Sequence, residues 1–171
     1  MRIRMLDKTR SHPDDVRSQV PAAGGGWSAV QVLQHLLLVE ELVLSGLDGT
    51  TERGRGTPRK TLRDRVGGLA VSLVFLLRIR VRMPTRRVDP DPALPFAEVE
   101  ERWSTVGLDL ARRLRQANAE EPARTVLRHP VSGPLSAAQT SAFLLAHMRH
   151  HERQLQRILA AVAGPTARTG K

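Results

Sequence analysis

Phe143-Leu144-Leu145-Ala146-His147-Met148-Arg149-His150-His151-Glu152-Arg153-Gln154 is the stretch on which the reading of this chain turns. Leu144, and further along Leu155, Ile158 and Val162, mark one apolar stripe at about 100° per residue, the signature of a helix. His147 and His151 fall inside that stripe, four residues apart, so their imidazoles project from one face on successive turns. His150 falls roughly a quarter turn outside the centre of the stripe, beside Arg149 and Arg153. Ser136 is a good N-cap and Gly164-Pro165 a good stop, which predicts a helix from 136 to about 162 and a mobile tail over 164–171.

Outward from this helix the period remains helical. Val32, His35, Val39 and Leu42 recur on one face of a segment spanning 27 to about 47, with Ser28 as its N-cap. Leu33, Leu37 and Leu44 form a second apolar face, so this helix is either buried on both sides or uses one side for a homodimer contact. It is expected to stop in the region of Gly46 to Gly49. Leu62, Val66, Leu69, Leu73 and Leu76 predict another helix over 59–82, with Gly67-Gly68 marking a kink or a close crossing. Pro84, Pro90, Pro92 and Pro95 enforce an extended connection. Val99, Trp103, Val106, Leu110 and Leu114 then predict a helix from 96 to about 118. Residues 119–135 read as a loop, broken by Pro122, Pro130, Gly133 and Pro134, and a short helix is expected near 14–20. No strand alternation stands out. The pattern is all-α: one domain over 1–171 with a core at about 12–163, built as an up-down four-helix bundle with a short extra N-terminal helix.

The composition narrows the chemistry. The 171 residues contain no Cys, which excludes disulfides, thiolate metal sites, iron–sulfur clusters and a cysteine nucleophile. Any metal must be held by His or carboxylate, and any thiol must come from outside. Lysine and arginine number 27 against 17 acidic residues, a formal charge of +10. Only Lys8, Lys60 and Lys171 are lysines, and the arginines are scattered from Arg2 to Arg168. Such a charge favours weak, salt-sensitive attraction to polyanions but gives no sign of specific nucleic-acid recognition. Aromatic residues make up 3%, too few for a base-stacking surface. No signal segment is visible, and the apolar run 66–77 is too short to span a bilayer, so a cytoplasmic protein is expected.

His35 lies among Val32, Val39 and Leu42 as His147 and His151 lie among leucines. Buried imidazoles need partners for their nitrogens. Three of them could share a divalent metal, by the logic of helical H-x-x-x-H sites, or be core histidines bonded to backbone, water or each other. Spacing alone leaves both open. There is no inward carboxylate pair beside them, which argues against a ferritin-like di-iron site. The chain also lacks a P-loop, a G-x-S-x-G elbow and a dinucleotide-binding glycine motif.

Three elements in order, Trp27-Ser28 with Val32-Leu33-Gln34-His35-Leu36, then His129-Pro130-x-x-Gly133-Pro134-Leu135-Ser136, then His147-x-x-x-His151-x-x-Gln154, resemble the DinB/YfiT-like family of metal-binding four-helix bundles. The resemblance covers roughly 15–163. It implies a divalent metal (zinc, nickel or iron) held by one histidine of an early helix and two of the last, here His35, His147 and His151. It further implies a transferase using a low-molecular-weight thiol, with a metal-dependent hydrolase or a non-catalytic ligand- or polyanion-binding module as alternatives, acting on a small-molecule substrate. Three neutral ligands would leave the metal its full charge and a position open for water or thiol.

Other residues carry weaker signals. Gln154 could hydrogen-bond a ligand or a metal-bound water, or stand on the surface. His129 could line the pocket or bond backbone beside Pro130. Trp27 is expected to pack as an anchor at the helix start, and Glu152 to point away from the site. Arg78, Arg80 and Arg82, with Arg86 and Arg87, form the densest basic run. They could bind the carboxylates or phosphates of a thiol cofactor, or simply be a solvated helix end.

Overall fold

The computed structural model describes residues 1–22, 26–52, 88–129 and 133–163. Among these, helices α1 (Arg2–Arg10), α2 (Asp14–Ser18), α3 (Ala29–Glu52) and α4 (Phe96–Glu120) precede a hairpin of β1 (Thr125–His129) and β2 (Gly133–Ser136). Helix α5 (Ala137–Val162) follows it. The expected helix over 59–82, residues 53–58 before it, Arg78, Arg80, Arg82, Pro84 and the tail 164–171 lie outside the described residues, as do Gly24 and Gly25.

The two helices that carry the histidines begin with the same device. Ser28 Oγ accepts from the Gln31 amide at 3.2 Å, while Gln31 Oε1 accepts from the Ser28 amide at 2.9 Å. Ser136 and Gln139 repeat the reciprocal pair at 3.4 and 3.0 Å. Each capping box satisfies two amides that an uncapped helix start would leave without partners.

Helix α3 is the central element. Val32, Leu33, Leu36 and Leu37 are almost completely buried. Leu33 and Leu37 of its second apolar face are covered within one chain, while Leu44 is half-buried. By length and composition Ala29–Leu47 could also cross a membrane, but a helix apolar all round is equally what a bundle centre requires. Leu42, placed by its spacing on the face of His35, is more than a third exposed. The helix also runs past Gly46 to Glu52 instead of stopping there. A helical glycine costs about 1 kcal/mol, and buried Leu47 one residue on offsets it.

Two features depart from the sequence expectation. The segment 119–135 is not a plain loop, because Thr125–His129 pairs antiparallel with Gly133–Ser136. Val126 and Leu135 bury their side chains in the core. A two-stranded ribbon has only edge strands, which tolerate Pro134, and Gly133 takes the left-handed φ of +72° that a non-glycine residue would resist. At the N-terminus, Arg2–Arg10 forms a helix ahead of the short one at Asp14–Ser18. Met5 and Leu6 are buried against α3 and α4 residues, so packing begins before residue 12.

Helix α1 is tied down by charge as well. Arg2 Nη2 donates to Glu40 Oε2 at 2.6 Å, with the guanidinium 5.3 Å from the centre of the Trp103 ring. A Cβ on Gly107 would lie 1.8 Å from Arg2 Cζ, so the missing side chain is the space the guanidinium fills. Burial raises the Glu40 carboxyl above its ordinary range, and the charge of Arg2 opposes that rise.

Apolar packing falls into two clusters. One joins Met5, Leu36, Trp103 and Leu155, and the other Val43, Leu110, Val126 and Leu144. Along α5, His147 and His151 lie between the residues of the second cluster and those of the first.

Candidate metal centre

His35, His147 and His151 meet in the interior at 2%, 6% and 7% exposure. His147 Nε2 lies 3.0 Å from His151 Nε2 and 3.4 Å from His35 Nε2. Among the described residues they form a group of metal-capable side chains whose ligand atoms all lie within 4.8 Å of one another. Two nitrogens bound tetrahedrally to one zinc at about 2.0–2.1 Å would be about 3.3 Å apart. The observed separations bracket that distance.

The remaining ring nitrogens explain the convergence. His35 Nδ1 lies 2.9 Å from the carbonyl oxygen of Val88, an atom that can only accept. His35 therefore carries its proton on Nδ1 and turns a lone pair inward. His151 Nδ1 lies 2.7 Å from Gln154 Oε1. Burial lowers the pKa of all three imidazoles, and the neighbouring histidines lower His147 and His151 further. His151 is brought down to about 3, although Gln154 works against the shift. All three are thus neutral near pH 7, the state in which imidazole binds a metal. Within the three rings, the inward lone pairs of His35 and His151 have a single possible proton donor, His147 Nε2. The donor set fits a divalent transition ion with three nitrogen ligands.

Aromatic rings pack against this group. Trp27 lies 4.7 Å from the His35 ring and 6.4 Å from that of His151, close to parallel with the latter. Phe143 stacks on His147 at 5.7 Å and 9°. His129 packs on Phe143 at 4.8 Å, one ring removed from the cluster, and burial lowers its pKa. Glu152 accepts from Arg4 Nε at 2.7 Å. A cavity of about 280 Å³ lies elsewhere, between α4 and the start of α5, lined by Leu114, Arg115, Asn118 and Ser141 among others. Sequence reasoning missed the Val88 carbonyl, for which no side-chain signature exists. It also missed Phe143, whose place four residues before His147 was the available signal.

A helical bundle with three inward histidines on two helices defines a class of protein with a possible metal site. The chain matches the model of the DinB superfamily over residues 2–155 and belongs to that superfamily. Comparison with curated proteins finds no match, and comparison with solved structures finds none either.

Proposed function

We propose that this chain is a metal-dependent transferase that joins a low-molecular-weight thiol to a small electrophilic substrate in the cytoplasm, with His35, His147 and His151 as the metal ligands. The convergence of three neutral Nε2 atoms in the buried interior carries the reading. A divalent cation bound there keeps its full charge and lowers the pKa of a thiol or water in a remaining position. The three histidines hold the site without adding negative charge, while the rings of Trp27 and Phe143 cover imidazole faces and limit water around them. The chain has no cysteine, so the sulfur nucleophile must be a second substrate. In the net reaction the thiol loses its proton to solvent, sulfur bonds to the electrophilic carbon, and the leaving group departs with its electron pair.

Protein purified without a histidine tag is expected to carry about one transition metal per chain by elemental analysis. Consumption of a chloro-dinitrobenzene is expected to accelerate with at least one low-molecular-weight thiol from a panel. Ester or amide cleavage without any thiol-dependent rate would replace this reading with a hydrolase. Bound metal with neither activity would leave a binding module.

A further inference from the structure

The contacts behind the histidines differ in kind, and that difference assigns a role to Gln154. The Val88 carbonyl can only accept, so the tautomer of His35 follows from the backbone. A glutamine amide can do either. With Oε1 toward His151 Nδ1, as observed at 2.7 Å, the proton sits on Nδ1 and Nε2 is free to bind. With the amide turned over, its N–H group would face Nδ1, the proton would move to Nε2, and that nitrogen would confront His147 Nε2, 3.0 Å away, with its lone pair lost.

We propose that Gln154 is the positioning residue of the metal centre: by accepting from His151 Nδ1 it selects the tautomer that binds through Nε2. The inference rests on the metal reading above. It also moves Gln154 away from bonding a metal-bound water, since its oxygen is engaged behind the ligand, three residues along the same helix. The acceptors behind His35 and His151, Val88 and Gln154, are uncharged. A carboxylate in that place would raise imidazole basicity.

The test measures Zn²⁺ affinity by competition with a chromophoric chelator for the wild-type chain, Gln154→Ala and Gln154→Glu. Far-UV circular dichroism checks that all three are folded. Nitrogen chemical shifts of the His151 ring are recorded on the metal-free proteins. Gln154→Ala is expected to bind about 10- to 100-fold more weakly. Glutamate can only accept, so Gln154→Glu is expected to bind at least as tightly as wild type. The ring shifts should show Nδ1 protonated in wild type and Gln154→Glu, moving toward Nε2 protonation in Gln154→Ala. Equal affinities for wild type and Gln154→Ala would overturn the proposal, as would equal weakening by Ala and Glu. If the wild-type chain fails to bind Zn²⁺, the metal reading falls instead, and the ring shifts alone decide whether Gln154 sets the tautomer.

Discussion

Two buried polar clusters flank the middle of α3, and they are assembled in opposite ways. Around Glu40, unlike meets unlike: a carboxylate receives a guanidinium at 2.6 Å, and an indole face supports the cation. The charges balance, although Arg2 Nε makes no hydrogen bond. Around His35, five residues earlier and about 140° away around the helix, like meets like: three imidazole nitrogens point at one another. The first cluster is balanced in charge and fastens α1 to the bundle. The second turns nitrogens of one kind toward a point that a cation could occupy. Burial of polar groups is common to both, so burial alone does not mark a candidate site; the convergence of like ligand atoms does.

The sharpest way to break this comparison is to remove one converging nitrogen. His147→Ala is expected to lose metal at stoichiometric levels, measured by elemental analysis, because two imidazoles alone are a poor chelate. Full retention would sink the ligand assignment. Acid provides the next largest effect. The folded-state pKa values of the three imidazoles lie below the ordinary histidine value of 6.5, so the unfolded metal-free chain binds more protons in that window. Stability of the metal-free protein is therefore expected to fall as pH drops from 6.5 toward about 3, the value for His151, and denaturant midpoints across that range should follow it. His151→Gln should flatten the profile.

The closed cluster should respond in stability while leaving metal content untouched. Glu40→Ala strands the Arg2 cation and is expected to cost roughly 3 kcal/mol in denaturant unfolding, with unchanged metal stoichiometry. Gly107→Ala should cost up to about the same, because its methyl group displaces the Arg2 guanidinium and loosens the same ion pair. In an Arg2→Ala background the same glycine change should be close to neutral, since the group it would displace is gone. Additive costs would show that Gly107 serves something other than Arg2.

The two clusters also differed in how far the sequence revealed them. His147 and His151 were legible because four-residue spacing places both on one face of one helix, and His35 because it interrupts an apolar stripe. That α3 and α5 bring all three together rested on the resemblance, since periodicity says nothing about which helices face each other. Arg2 and Glu40 stand 38 residues apart on different helices, and no local pattern links them. Helix α1 itself was hidden by its polarity: Met5 and Leu6 are buried, but Ile3 is 75% exposed, so nine residues show no clean stripe. The hairpin was hidden by Pro130, Gly133 and Pro134, which read as breakers although a ribbon without inner strands accommodates them.

The paired capping boxes have a consequence for the phase of each helix. Ser28 precedes His35 by seven residues and Ser136 precedes His147 by eleven. These are close to two and three whole turns, so each imidazole leaves its helix within about 20° of the direction set by its own cap. The caps thus act as angular references: each fixes where rotation begins, and a nearly integral number of turns delivers the nitrogen at the right bearing. One residue inserted between cap and ligand would leave both the box and the histidine in place in the sequence, yet turn the imidazole through about 100° and out of the cluster.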